Sequence, residues 1–195
     1  CLLSRGLGDV YKRQGLKKAN DWRERMGRER NADWDRIADQ MAPWPVVNGV
    51  YVEAESVLEK DGGHPTQLAA YGFLPASAYL DKEVMRKTLR HVLDNWDWAD
   101  TWGWDFPLIA MTAIRLNEPE WALEALLKSV QKNTYLPNGH NFQNEGLPLY
   151  LPGNGGLLTV VAMMCAGWDG CTEGNPGFPK NGLWNVKWEG LKPAF

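Results

Sequence analysis

Four short segments of the chain combine polar side chains with indole rings. Imidazole and carboxylate groups can transfer protons, and amide groups exchange hydrogen bonds with hydroxyl groups. Indole rings are flat apolar plates that suit the C–H faces of sugar rings. The side chains concerned are those of His64, Gln67, Trp102, Trp104, Asp105, Asn138, His140, Asn141, Gln143 and Asn154. Together they predict a site that binds a hexose, with Asp105 as the catalytic residue and the others in contact with the sugar.

Asp105 has two interpretations. As a general acid or base it would face the sugar, and Trp104 would be an apolar wall that tunes its pKa. As a helix cap it would accept a hydrogen bond from a backbone N–H group such as that of Leu108. Glycoside hydrolysis typically needs two carboxyl groups, and Asp61 and Glu145 lie at the margins of the same segments.

Other residues of the set also have structural interpretations. His64 precedes Pro65 and can be a turn residue, while Asn154 lies between glycines and can adopt a left-handed conformation. The three histidines, His64, His91 and His140, lack the spacing of metal ligands. Nucleophile-elbow, phosphate-loop and Cys-x-x-Cys motifs are absent from the sequence. We therefore predict neither a metal nor a cofactor.

Composition and charge exclude several classes of protein. The 195 residues include 21 basic and 24 acidic side chains, for a net charge of −3, without the basic stripe that nucleic-acid-binding proteins carry. No apolar segment is long enough to span a membrane. The 3 cysteines are odd in number and give no disulfide framework. The 11 tryptophans suit sugar binding as well as a helical core.

The polar segments precede helices that alternate in character. Nearly continuous apolar runs predict buried helices at about 65–74, 107–116 and 157–166. Periodic patterns predict amphipathic helices at about 82–96 and 119–132, and a further helix at about 20–41. A helix that is apolar all round must be covered on every side, so we expect an inner ring of apolar helices inside an outer ring. The polar segments would then share one rim.

Two short β-hairpins complete the predicted fold. Asn48-Gly49 lies between apolar residues and is a strong turn signal, which predicts a hairpin near residues 45–53. Trp184, Val186 and Trp188 alternate with polar residues, which predicts short strands near 183–189. The predicted fold class is mainly α, a partial α/α toroid with these two hairpins.

Three of the segments resemble motifs of glycoside hydrolase family ninety-five, the α-L-fucosidases and α-L-galactosidases. Gly63-His64-Pro65-Thr66-Gln67 looks like the family's His-rich segment. Gly103-Trp104-Asp105-Phe106-Pro107 looks like its Gly-Trp-Ser-Leu-Ala-Trp segment, and Tyr150-Leu151-Pro152-Gly153-Asn154 looks like its Gln-Ile-Asp-Gly-Asn segment. From about residue 20 onward, the chain is similar to the C-terminal part of such six-hairpin glycosidases.

The resemblance implies an α/α toroid, a carbohydrate substrate and a general acid that lies upstream of this chain. The family's base-supporting aspartate falls on Pro152 here, and an imide cannot polarise water. We therefore expect a related branch of six-hairpin enzymes rather than an α-fucosidase.

Residues 1–14 (CLLSRGLGDVYKRQ) differ in character from the rest. They resemble a translated sequencing adapter, although Cys1 could instead be the lipid-bearing cysteine of a lipoprotein. We predict that 1–14 are non-native and make few contacts, and that 15–195 are the C-terminal portion of an α/α toroid catalytic domain. The missing N-terminal part of the same polypeptide is an expected partner.

The sequence thus predicts a C-terminal fragment of a carbohydrate-active enzyme, a glycoside hydrolase acting on oligo- or polysaccharide. The fragment alone is expected to be inactive and marginally folded. About three inner helices cannot close a ring, so apolar faces of 107–116 and 157–166 would meet water. The alternatives are a non-catalytic carbohydrate-binding α/α module and a polysaccharide lyase or epimerase, for which Tyr71 and Tyr150 are base candidates. Carbohydrate is the expected ligand, and a periplasmic or extracellular location is favoured over a cytoplasmic one.

Overall fold

The computed structural model describes residues 7–54, 62–75 and 77–194, and this part of the chain is mainly helical. The α-helices are α1 (Leu7–Arg25), α2 (Ala32–Gln40), α3 (Ala69–Gly72), α4 (Lys82–Asn95), α5 (Asp105–Arg115), α6 (Pro119–Leu126) and α7 (Leu151–Ala166). Short 3-10 helices occupy Thr66–Leu68 and Gln131–Asn133. Two antiparallel hairpins pair β1 (Val46–Val47) with β2 (Val50–Tyr51), and β3 (Thr134–Tyr135) with β4 (Asn141–Phe142). The mainly helical fold class is as predicted.

Helix α5 forms the centre of the core. All 11 of its residues are buried, so the expectation that its apolar run meets water is wrong for this helix. Helices α3, α6 and α7 pack against it, and α4 also contacts it. Burying one large apolar side chain stabilises a fold by roughly 1.5–3 kcal/mol, and Phe106, Leu108, Ile109 and Ile114 are all fully buried. The surrounding helices therefore have a common apolar surface to fold against.

Helix α4 follows its amphipathic pattern. Its N-cap residue Asp81 accepts hydrogen bonds from two backbone N–H groups of the first turn. Met85, Leu89 and Val92 lie on one face at helical spacing and are fully buried. Arg90, on the opposite face, pairs with exposed carboxylates. Capping and patterning agree here, and the helix has the predicted bounds to within one residue.

Several other helices differ from prediction in extent. The helix expected over 20–41 is two helices, because the chain turns at Gly27 (φ 69°) and Asn31 then caps α2. The helix expected over 119–132 ends at Leu126. Helix α7 begins at Leu151, six residues before the apolar run, and has Pro152 in its first turn, where a missing N–H group has no cost.

One face of α7 meets water, as predicted for the apolar run 157–166. Val160 and Met163 face the core, whereas Leu158 is 73% exposed and Leu151 and Val161 are also exposed. We call Leu151, Leu158 and Val161 the open face of α7. In the described part of the chain, no helix is both long and apolar enough to cross a membrane.

The hairpin predicted near 45–53 is confirmed, but the strands predicted near 183–189 are wrong. Residues 183–189 have no regular structure. Their aromatic residues pack locally instead: the rings of Trp184 and Phe178 lie 5.2 Å apart, and Trp188 Nε1 donates to Asn175 Oδ1. A second hairpin does form, around Asn138-Gly139, in a segment expected to be a loop.

Residues 7–14 form the first turns of α1 and contact the rest of the molecule. Val10, Arg13 and Gln14 lie on one helical face, and the first two are buried. Arg13 Nε donates to the carbonyl oxygen of Ala38 at 2.9 Å, and Gln14 Nε2 donates to that of Pro75 at 3.3 Å. The prediction of few contacts is therefore wrong for residues 7–14, while residues 1–6 lie outside the described part.

Candidate functional site

His64 and Asp105 form a hydrogen-bonded pair between two elements. Asp105 is the first residue of α5, and His64 lies in the loop that leads to α3. The Nδ1 atom of His64 is 3.0 Å from Oδ1 of Asp105 and 3.2 Å from Oδ2. The side chain of Asp105 is fully buried, whereas that of His64 is 39% exposed. The carboxylate thus fixes one edge of the ring, and the other edge, with Nε2, is left without a hydrogen bond among the described residues.

Burial governs the electrostatics of this pair. It raises the pKa of Asp105 to about 6, while the backbone N–H of Trp102 and the ring of His64 act in the opposite direction. The Trp102 N–H donates to Oδ2 at 2.7 Å. When Asp105 is ionised it accepts the Nδ1 proton, so a neutral imidazole carries its lone pair on Nε2. That arrangement can accept a proton from a ligand or from water.

Neither interpretation of Asp105 made from the sequence describes its surroundings. Its carboxylate is fully buried and does not face a cavity. Nor does it cap Leu108, whose N–H donates to the carbonyl oxygen of Trp104. Its partners are instead His64 and the N–H of Trp102. His64 and Asp105 are 41 residues apart in the sequence. The signal in the sequence for their pairing is that each precedes or begins one of two successive apolar segments.

Aromatic rings surround the exposed edge of His64. The ring of Trp104 lies 4.9 Å from that of His64, and the ring of Trp102 lies 6.2 Å away. Trp102 also contacts Tyr150, at 5.4 Å between ring centroids, just before α7. We call Trp102, Trp104 and Tyr150 the aromatic shelf. It joins the loops that precede α5 and α7, and it offers an apolar surface beside a titratable group.

Asn141 and Gln143, expected to contact the sugar, are fully buried and hydrogen-bonded within the protein. Gln143 Oε1 accepts from the N–H of Gly103, and Gln143 Nε2 donates to Asn141 Oδ1 at 2.8 Å. A side chain at Gly103 or at Gly153 would overlap that of Asn141. The two amides therefore have no surface to offer a ligand, and they hold the loops on which the aromatic shelf stands.

Asn154 and His140 lie at the edge of this amide cluster. Asn154 Oδ1 accepts from the N–H of Asn141, and its Nδ2 donates to the carbonyl oxygen of Gly139 at 2.7 Å. His140 is half-buried, and within the described residues its ring makes no hydrogen bond. Asn154 thus braces the β3–β4 turn against α7, and no described contact brings His140 to His64.

A cavity of about 380 Å³ also borders His64 and is lined by the β1–β2 hairpin and residues of the 62–67 segment. Gln67 lines it and is only 5% exposed, and its Oε1 atom has no hydrogen-bond partner among the described residues. Glu53 also lines it and accepts a hydrogen bond from the hydroxyl of Thr66. The sequence did not predict Glu53 as a site residue, because it follows a short strand and belongs to no recognisable motif.

Glu145 has no contact with the His64–Asp105 pair in the described part of the chain. Glu145 is exposed on the loop after β4, and Asp61 lies outside the described residues. In the part of the chain that the structure describes, no group of three or more His, Cys, Asp and Glu side chains is placed to hold a metal ion.

No family model, no curated protein and no solved structure matches the chain. Function therefore has to be inferred from the chemistry of the His64–Asp105 pair and its surroundings.

Proposed function

We propose that this chain belongs to a carbohydrate-active enzyme in which His64, oriented by Asp105, exchanges a proton at a bound sugar. The observation that carries the proposal is a half-exposed imidazole held at Nδ1 by a fully buried carboxylate. Such a partner fixes the tautomer and orientation of the ring and stabilises the imidazolium that forms. Proton transfer by a positioned side chain typically contributes about 10²–10⁴-fold to a rate.

The aromatic shelf supports a sugar as the ligand. A pyranose ring stacked on Trp102 or Trp104 would lie beside the free Nε2 edge of His64, because Trp104 is 4.9 Å from the imidazole. Trp102 is 36% exposed, so its indole retains surface for such a contact. Lys132 Nζ lies 5.2 Å from the centroid of the Trp102 ring, and this cation–π contact helps to hold the indole in place.

Among carbohydrate reactions, hydrolysis of a neutral glycoside fits the charges best. Nε2 of His64 would take a proton from the attacking water, and Asp105 would balance the charge of the imidazolium. A lyase acting on uronates requires positive charge around the sugar carboxylate. Lys132 is a cation beside Trp102, but the described residues that line the cavity beside His64 include Glu53 and neither Lys nor Arg.

A toroid remains our proposal for the arrangement of the helices. It is supported by the fully buried α5 and by the meeting of three loops on one side of the core. His64 precedes α3, Asp105 begins α5 and Tyr150 precedes α7, and contacts join all three. The resemblance to glycoside hydrolase family ninety-five points to the same arrangement.

Replacement of His64 tests the proposed function. The His64→Ala variant should lose about 10²–10⁴-fold in turnover on a panel of neutral oligosaccharides. Added imidazole should restore part of that rate, since the space between Trp104 and Asp105 is vacated. Full activity of His64→Ala would refute the proposal, and sugar binding without turnover by the unmodified chain would favour a binding module.

A further inference from the structure

We infer that the cavity beside His64 binds a neutral, hydroxyl-rich sugar ring, and that Glu53 and Gln67 select this ring against anionic sugars. The inference rests on the proposed function, because it names the ligand class of the same site. It adds a binding residue, Glu53, that lies outside the aromatic shelf and outside every motif of the sequence.

The position of the cavity connects it to the chemistry. His64 belongs both to the cavity wall and to the pair with Asp105. A ligand in the cavity can therefore reach the imidazole, which also lies beside the aromatic shelf. The volume of about 380 Å³ falls within the range of roughly 300–1,000 Å³ that is usual for small-molecule sites.

Gln67 supplies the first sign of a missing ligand. Its side chain is 5% exposed, and its buried carbonyl oxygen Oε1 has no hydrogen-bond partner in the described part of the chain. Native proteins almost always pair such groups, because an unpaired buried acceptor has lost its water without compensation. A hydroxyl group of a ligand would supply the donor that the protein lacks at this position.

Glu53 sets the charge of the same cavity. Its carboxylate accepts the hydroxyl hydrogen of Thr66, and it has further acceptor sites that this one donor does not fill. Glu53 thus gives the cavity an acceptor surface, and Gln67, whose buried Oε1 has no donor among the described residues, belongs to the same lining. Sugar hydroxyls can donate to it, whereas a uronate carboxylate or a phosphate brings only acceptors and a like charge.

A cation would also suit acceptors, but the geometry favours the sugar. A Ca²⁺ site uses about six to eight oxygen ligands, several of them from carboxylates. The described residues give no cluster of three acidic, His or Cys side chains here. The hairpin residues Val47 and Val50, together with Trp96, give the lining an apolar part that suits C–H groups.

Binding measurements on the intact chain test the inference independently of turnover. Calorimetry and saturation-transfer NMR would use methyl glycosides of glucose, galactose, mannose and fucose, with glucuronate, galacturonate and Ca²⁺ as comparison probes. At least one neutral glycoside should bind, and the matching uronate should bind at least about tenfold more weakly. Glu53→Gln should bring the two affinities to within about threefold of each other, because it removes the like charge.

Gln67→Met separates a binding role from a structural one. It should weaken neutral-sugar binding by about tenfold or more while the melting temperature stays the same or rises, since Oε1 has no protein partner to lose. Gln40→Met is the matched control, because Gln40 is exposed on α2 and contacts only Arg36. A loss of stability in Gln67→Met without a change in binding would contradict the inference.

The outcomes distinguish the two proposals. No binding of any neutral glycoside, equal or tighter binding of the uronates, or Ca²⁺ binding abolished by Glu53→Gln would each overturn the inference. If turnover still depended on His64 in those cases, the proposed function would stand without it. If neutral glycosides bind as expected but His64→Ala keeps full turnover, the cavity is the sugar site and the role of His64 fails.

Discussion

The carboxylate of Asp105 has two neighbours that determine what it can do, the ring of His64 and the backbone N–H of Trp102. Both are donors when Asp105 is ionised, so the carboxylate is the acceptor that orders the loop before α5. Burial opposes that ionisation and raises the pKa of the group to about 6. Hydrogen bonds therefore order the pair, while the buried carboxylate loses its hydration. Carboxylates with a pKa raised in this way are common at functional sites.

Replacing Asp105 by Asn tests the orientation of His64. We expect Asp105→Asn to lower turnover by about 10²-fold or more, because an amide nitrogen facing Nδ1 would donate rather than accept and would move the imidazole proton to Nε2. Turnover of the unmodified enzyme should also fall as the pH drops through about 6, where Asp105 takes up a proton. Steady-state kinetics from pH 4 to 8 would measure both effects.

The control for this variant is Asp94→Asn. Asp94 is an exposed carboxylate on α4 that pairs with Arg90, and its replacement should leave turnover unchanged. A rate for Asp105→Asn within about threefold of the unmodified enzyme would mean that Asp105 has no part in orienting the base.

The same carboxylate should make stability depend on pH. The pKa of Asp105 is about 6 in the folded chain and 3.8 as its ordinary value, so the folded state holds the proton more tightly. Its contribution to stability is fully present below about pH 4 and is lost as the pH rises through about 6. Relative to Asp105→Asn, the unmodified chain should lose about 3 kcal/mol across that interval by urea denaturation. A constant difference from pH 4 to 8 would show that the pKa is not raised.

Much of the site at this scale follows from the sequence, and some of it does not. His64, Trp102, Trp104 and Asp105 meet as predicted, because each precedes an apolar segment and those segments pack together. Asn141 was expected at the sugar, yet its amide is buried against Gly103 and Gly153, a packing relation that no local pattern records.

The first turns of helix α1 pack against the rest of the molecule although their composition is mostly polar. Residues 7–14 carry little apolar surface, but helical spacing places Val10 and Arg13 on one face, where both are buried. Arg13 then donates to carbonyl oxygens at the end of α2, which a helix leaves without partners. Composition alone had suggested a segment without contacts, because it carries no information on which face of a helix is covered.

Arg13→Ala tests this docking. The free energy of unfolding should fall by about 2–3 kcal/mol, because the carbonyl oxygens of Ala38 and Met41 lose a charged donor in a buried place. Arg25→Ala, on an exposed position of the same helix, should change it by about 0.5 kcal/mol or less. Equal effects of the two variants in chemical denaturation would place Arg13 outside the packed structure.

At the scale of the whole molecule, the core is centred on one helix and one outer surface is apolar. The apolar run of α5 was expected to meet water in part, but all its residues are buried, since α3, α4, α6 and α7 surround it. The open face of α7 is the apolar surface left over. The sequence predicts a helix there but not its covering, since an apolar run looks the same whether or not a neighbour exists for each face.

The open face of α7 predicts association in solution. Leu158→Lys should reduce the binding of a hydrophobic dye and the formation of larger species, with little change in melting temperature, because Leu158 is 73% exposed. Val160→Lys, two residues away on the buried side, should instead unfold the chain, since it places an unpaired charge in the core. Light scattering and a thermal scan would measure both variants, and unchanged dye binding in Leu158→Lys would locate the apolar surface elsewhere.

The buried amide of Asn141 couples the local unfolding of three neighbouring segments. Its backbone bonds Asn154 and Tyr150, and its side chain fills the space beside Gly103 and Gly153. The loop before α5, the β3–β4 hairpin and the start of α7 thus cannot separate one at a time without exposing the same amide. Their backbone protons should therefore exchange with deuterium at one common rate, as a single cooperative unit beneath the aromatic shelf, and slower than those of residues 183–189.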